Sequence, residues 1–252
     1  MPDSNQLERV VVVLVATRNS LNIGAAARAL SNFGFPHLRL VRPWDPSFQE
    51  ARSAVGASDL LAHAQVYATV PEAVADCTLV LGTTAVTAGG RRDLQHPLDT
   101  LADAAAQARE HLALPQTRAA ILFGSEKTGL TNDDLSYCHR LLRIPTREQH
   151  ISMNLGQAVA ICMYELMRTL SAAPLPAAET ARPAPAQAAE VERLTQLILE
   201  ALQHSGYIAT GAETATEEKL RRELRRFPLT HHDAQLALGM VRQMVWKLHD
   251  RQ

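Results

Sequence analysis

The stretch Ile121-Leu-Phe-Gly-Ser-Glu-Lys-Thr-Gly-Leu-Thr131, followed by Ile144-Pro145 and Ile151-Ser-Met-Asn-Leu155, takes an apolar run into a glycine-containing loop. A second apolar run then enters a polar loop that opens a long helix. Two strand ends thereby deliver backbone groups and small polar side chains towards one place, an arrangement that suits a nucleotide-like ligand. Outward from this centre, short runs rich in Val, Leu and Ile recur at Val10 to Ala16, His37 to Arg42, Thr78 to Gly82, Ala119 to Phe123 and Arg140 to Ile144, with helical spacing between them. Near-continuous apolar strands such as Val11 to Val15 are those of a parallel sheet covered on both faces. The expected class is therefore α/β, with ligands bound beyond the carboxyl ends of strands.

After a helix expected from about Ser152 to Leu170, the chain turns abruptly Pro- and Ala-rich from Ala172 to Ala188 and reads as an extended linker. Beyond it, amphipathic stretches at Glu190 to His204, Thr216 to Phe227 and Thr230 to Asp250 read as helices. Thr230 with Asp233, and Thr131 with Asp134, have the spacing of capping boxes with an acidic third position. The expected organisation is a domain over residues 1–170, a linker over 171–189 and a small helical extension over 190–252.

Composition narrows the class. The 252 residues are 46% hydrophobic, enough for a sizeable core, and the formal charge of −1 excludes a uniformly basic surface, so any nucleic-acid contact must come from local clusters. The apolar run Val10 to Ala16 is too short to span a bilayer and no basic segment precedes it, so neither membrane anchoring nor export is expected. Cys77, Cys138 and Cys162 are odd in number and widely spaced, which suggests neither a disulfide framework nor a metal centre. The cytoplasm is the expected compartment.

Three segments carry candidate chemistry. In Thr17 to Arg28, Gly24 permits close packing and Arg28 lies one turn inside a helix; it is either a solvated helix arginine or a fork for an RNA phosphate. Gly124-Ser-Glu-Lys-Thr-Gly129 has P-loop glycines, but Leu130-Thr131 stands where Lys-Ser/Thr is required, so a nucleoside triphosphate site lacks its lysine. The loop is either a plain strand-to-helix turn or a source of backbone N–H and C=O groups for an adenosine or methionine moiety. In the third segment, Ser152 could cap a helix beginning at Met153, and Asn154 in its first turn could orient a ligand. Thr83-Thr-Ala85 adds hydroxyls at another strand end.

Taken together, Asn22, Gly24 and Arg28, then Phe123, Gly124, Glu126, Gly129 and Leu130, then Ile144, Pro145, Ser152 and Asn154 resemble the motifs of the SPOUT RNA 2′-O-ribose methyltransferases. The resemblance covers residues 10–170, and the helical extension is similar to that of the bacterial TrmJ group, which methylates the ribose at position 32 of the tRNA anticodon loop. Met153 departs from the leucine usual there, a volume-conserving change.

The resemblance implies a trefoil knot around residues 121–155, an S-adenosylmethionine pocket and a homodimer in which Arg28 of one subunit serves the pocket of the other. It implies cofactor contacts from Thr83, Thr84, Ala85, Gly124, Glu126, Ile144, Ile151, Ser152 and Met153, and a transfer step served by Arg28, Ser152 and Asn154 without a metal. Contact with tRNA is expected from Arg18, Asn22, Arg91 and Arg92. The run Lys219 to Arg226 adds Lys219, Arg221, Arg222, Arg225 and Arg226, five basic side chains against Glu223. Competing readings are a relative acting on ribosomal RNA or another tRNA position, an RNA-binding protein of the same fold without catalysis, and a nucleotide-binding oxidoreductase. The last lacks Gly-x-Gly-x-x-Gly after the first strand.

Overall fold

The structure, a computed structural model, describes residues 4–44, 48, 54–85, 96–172, 183–209 and 211–250. Its centre is a seven-stranded sheet in the order β3-β2-β1-β6-β4-β7-β5, with every pairing parallel. The strands are β1 (Val10–Val15), β2 (His37–Val41), β3 (Gln65–Tyr67), β4 (Leu79–Thr83), β5 (Leu98–Thr100), β6 (Ala119–Phe123) and β7 (Arg140–Arg143). Five of these match the apolar runs of the sequence. The other two, β3 and β5, are three-residue edge strands without such a run.

Alternation along the strands divides the core. Val10, Val12 and Leu14 of β1 pack with Ile121 and Phe123 against α2 (Ser20–Phe33), α5 (Leu101–Leu112) and α7 (Leu155–Leu170). Val11, Val13 and Val15 pack with Ala120 and Leu122 on the opposite face, against α4 (Val70–Ala73), Leu135 and Cys138. Strands β1 and β6 are hence buried on both sides, and burying their side chains contributes about 1.5–3 kcal/mol per large residue. Helices α2 and α7 approach closely because residue 156 is glycine: a Cβ there would lie 2.7 Å from that of Ala25.

The helix after the third candidate segment begins at Leu155, not Met153. Asn154 caps it, its side-chain oxygen accepting from the backbone N–H of Gly156 at 3.0 Å and of Gln157 at 3.4 Å. This corrects the expectation that Ser152 is the cap: an amide oxygen two residues nearer the helix reaches the free N–H groups directly. Both expected capping boxes form, Thr131–Asp134 on α6 (Asn132–Ser136) and Thr230–Asp233 on α10 (His231–His249).

The extension consists of α8 (Ala188–His204), α9 (Glu213–Leu224) and α10. Much of the Pro/Ala-rich segment falls at residues 173–182, outside the described residues. Its described end is stitched into the structure: the N–H groups of Ala188 and Ala189 donate to the carbonyls of Cys77 and Ala75, and Ala186 and His231 pair with Leu229 and Ala184. The extension also docks through Arg221 of α9, which reaches Ser136 Oγ at 3.0 Å and stacks 4.2 Å from the Tyr137 ring centre. Among the described residues, no helix is long and apolar enough to cross a membrane. All three cysteines are buried and unbridged.

Candidate active site

The strand order explains why distant loops meet. With β1, β6, β4 and β7 adjacent and parallel, the segments after Val15, Phe123, Thr83 and Arg143 leave the sheet at one edge. The last three enclose a cleft whose lining includes Thr83, Thr84, Ala85, Gly124, Glu126, Ile144, Ile151, Ser152 and Met153, every residue for which cofactor contact is expected. Leu142, Leu155 and Ala158 add apolar wall, while Thr146 and the loop Ser125 to Gly129 add polar groups. The loop is a tight turn in which Gly129 N–H donates to the Ser125 carbonyl at 2.8 Å. Gly124 lies so close to its return that a Cβ would stand 2.1 Å from the carbonyl carbon of Gly129 and from Leu130 N. Any side chain there would force the loop open.

A hydrogen-bonded chain joins the three sequence segments beside this cleft. Asn154 Nδ2 donates to Asn22 Oδ1 at 3.2 Å, and Asn22 Nδ2 donates to Glu126 Oε1 at 2.7 Å. Glu126 Oε2 accepts from the backbone N–H of Arg18 at 3.1 Å. Partial burial pushes the Glu126 carboxyl up, but the Asn22 amide and the backbone N–H groups of Glu126, Arg18 and Asn19 outweigh it and hold the group below the usual carboxylate range. A fixed negative charge thus sits at the start of α2, where the helix dipole favours it.

Two of the three described non-glycine residues with left-handed φ lie at this end of the sheet. Ala16 and Arg42 hold φ of 51° and 48°, left-handed values that cost non-glycine residues about 1–3 kcal/mol. Hydrogen bonds from Ala16 N to Val41 O and from Trp44 N to Thr17 O keep these turns in place. Trp44 is 71% exposed and Arg18 lies 4.7 Å from its ring centre. No motif marks Trp44; a tryptophan in the polar turn after β2 is the signal that the sequence offers for it.

Arg28 is exposed on α2, does not line the cleft of its own chain, and makes no hydrogen bond or ion pair with a described residue. Arg91 and Arg92 lie outside the described residues. Of the basic run on α9, Lys219 and Arg226 are exposed and Arg222 is half-buried.

Arg221 and Arg225 require a correction: both are buried, at 2% and 3% exposure, and so are not RNA contacts. Arg221 Nε bonds Glu192 Oε2 at 2.9 Å and its Nη2 bonds Glu217, while Arg225 stands 3.5 Å from Glu192. Helical spacing turns residues 221 and 225 inward together, and the apparent charge patch is in part an internal ion-pair network.

Comparison with known proteins bears on this geometry. Residues 9–164 match the SpoU rRNA Methylase family. The chain belongs to the SpoU methylase family. It is 35% identical over 242 residues, covering 93% of this chain and 91% of the relative, to the tRNA (cytidine/uridine-2′-O-)-methyltransferase TrmJ of Yersinia pestis (strain Pestoides F). Among solved structures, TrmJ from Z. mobilis ZM4 superposes with a TM-score of 0.79 at 30% identity, covering 93% of this chain and 98% of that one. A probable methyltransferase from Bordetella pertussis Tohama I has a TM-score of 0.61 at 35% identity, covering 67% of this chain and 99% of that chain. The SpoU methylase match ends within α7, whereas the TrmJ relatives continue through the helical extension.

Proposed function

We propose that this SpoU methylase family member transfers a methyl group from S-adenosylmethionine to a ribose 2′-hydroxyl of tRNA, at position 32 of the anticodon loop, acting on cytidine, uridine or both in the cytoplasm. The observation that carries the reading is the Asn154–Asn22–Glu126 chain at the mouth of a cleft lined by loops from adjacent strand ends. Likeness to TrmJ proteins along nearly the whole chain supports the tRNA substrate and the position.

The cleft fits the cofactor chemically. Gly124 lets the loop fold back tightly on Gly129 and Leu130, and the walls pair aliphatic side chains with loop backbone and hydroxyls, as a molecule with an adenine ring, a ribose and an amino-acid tail requires. When bound, that cofactor supplies an electrophilic methyl on a sulfonium, open to in-line displacement by the ribose oxygen. Glu126 holds Asn22, Asn22 holds Asn154, and Asn154 fixes the start of α7, so the cleft wall at Ile151 to Met153 is positioned before substrate arrives. Arg28 keeps its proton and serves by gripping a phosphate next to the acceptor and countering the charge that develops on the 2′-oxygen.

Two copies of the chain belong to this proposal. Arg28 is clear of its own cleft, and Leu21, Ile161 and Tyr164 leave apolar surface exposed on α2 and α7 at 51%, 37% and 56%. The knotted threading of residues 121–155 is likewise part of the proposal, supported by the family membership.

The test is a ribose-methylation map of tRNA from cells with and without the gene, paired with methylation of unmodified tRNA by the purified protein and S-adenosylmethionine. Loss at position 32 alone and its restoration in vitro are expected. An unchanged tRNA map would overturn the assignment, and a change confined to ribosomal RNA would replace it with the rRNA reading.

A further inference from the structure

Far along the extension from the cleft residues, α8 and α10 run side by side in the same direction. At their starts Glu190 pairs with His231 at 2.8 Å and accepts from Gln235 at 2.6 Å. At their ends three donor atoms converge: Glu200 and His204, one turn apart on α8, and His249 from the last turn of α10. We propose that Glu200, His204 and His249 bind one Zn²⁺ ion per chain, tying the last turn of α10 to α8.

The chemistry of the donors favours this. His204 Nδ1 stands 2.9 Å from the Glu200 carbonyl, which can only accept, so the proton is on Nδ1 and the Nε2 lone pair is free. That Nε2 faces His249 Nε2 at 2.8 Å, and His249 Nε2 stands 3.6 Å from Glu200 Oε1. Tetrahedral zinc with bonds of about 2.05 Å requires ligand atoms about 3.3 Å apart, a spacing that these two distances bracket. Two nitrogens and a carboxylate oxygen form a zinc-type set, with a fourth position open to water; magnesium prefers oxygen ligands. Both helices also point their negative dipole ends at the cluster.

Among the described residues no other group of three such side chains converges, and the three cysteines are buried. A single stoichiometric site is therefore attributable. Isothermal titration of the full-length protein with Zn²⁺ should give one equivalent per chain and a rise in melting temperature that chelator reverses, with no response to Mg²⁺. His249→Gln, at a half-exposed position near the chain end, should weaken binding at least about tenfold, as should Glu200→Gln. Circular dichroism of the metal-free variants checks that the helices persist. Binding retained at full affinity in both variants, or no saturable binding by the parent protein, would overturn the proposal.

Discussion

Arg28 and Trp44 are exposed side chains with few internal obligations, which leaves both free to meet a substrate. Arg28 lies just over two turns inside α2, exposed and with no described side-chain partner, so removing it leaves no buried charge behind and the fold should be untouched. On the proposed function, Arg28→Ala should lower kcat/KM for tRNA methylation by about 10²–10³. Calorimetric affinity for S-adenosylmethionine should be unchanged, and full activity at saturating cofactor would remove Arg28 from the mechanism. Trp44, exposed beneath the Arg18 guanidinium, offers a flat face on which an unstacked base can rest. Stacking of about 1–3 kcal/mol per base predicts that Trp44→Ala raises KM for tRNA about tenfold while kcat changes little, measurable by steady-state kinetics. Both effects belong to substrate binding and transfer, since neither residue supports the core.

Among the elements, α9 departs most from its reading in the sequence. Its basic run suggested a surface for RNA, but residues 221 and 225 are one turn apart on the inward face, and Glu192 on α8 draws both to it. Nothing local in Lys219 to Arg226 reveals that pairing, because Glu192 and Ser136 are distant in sequence. Arg221→Ala would leave Glu217 without its cation and Glu192 with only the longer contact to Arg225, and should destabilise the protein by about 3 kcal/mol in urea unfolding. Replacing the exposed Lys219 should cost little. The strands show the opposite case. β1, β4 and β6 were legible because a strand covered on both faces is a near-continuous apolar run, and β2 and β7 as shorter apolar runs beside arginines, whereas β3 and β5 sit at the sheet edges and carry no such demand. The loops forming the cleft were legible from paired motifs, while the bond from Asn154 to Asn22 depended on tertiary packing of α7 against α2.

For the whole molecule, burial of histidines sets how stability responds to acid. Burial pushes His111 down to about 4, with Arg9 adding to it, and pushes His139 down to about 3, with Arg225 and His111 adding. An unfolded chain takes up a proton on each near pH 6.5. The unfolded state therefore binds more protons below that value. Stability should be full above about pH 6.5 and fall as the pH drops towards 4, by up to about 1.4 kcal/mol per pH unit for each histidine. Urea midpoints at pH 7 and pH 5 measure the slope, and His111→Gln should flatten it even if it lowers the midpoint at pH 7. The Arg221 contact with Ser136 has a consequence for inheritance. Ser136 closes α6, and α6 begins where the cleft loop ends, so the extension grips the helix that continues the cleft wall. A recombination that exchanged residues 188–249 for those of a relative would have to bring residues 131–137 with it. The tail and that short helix should pass between lineages as one piece.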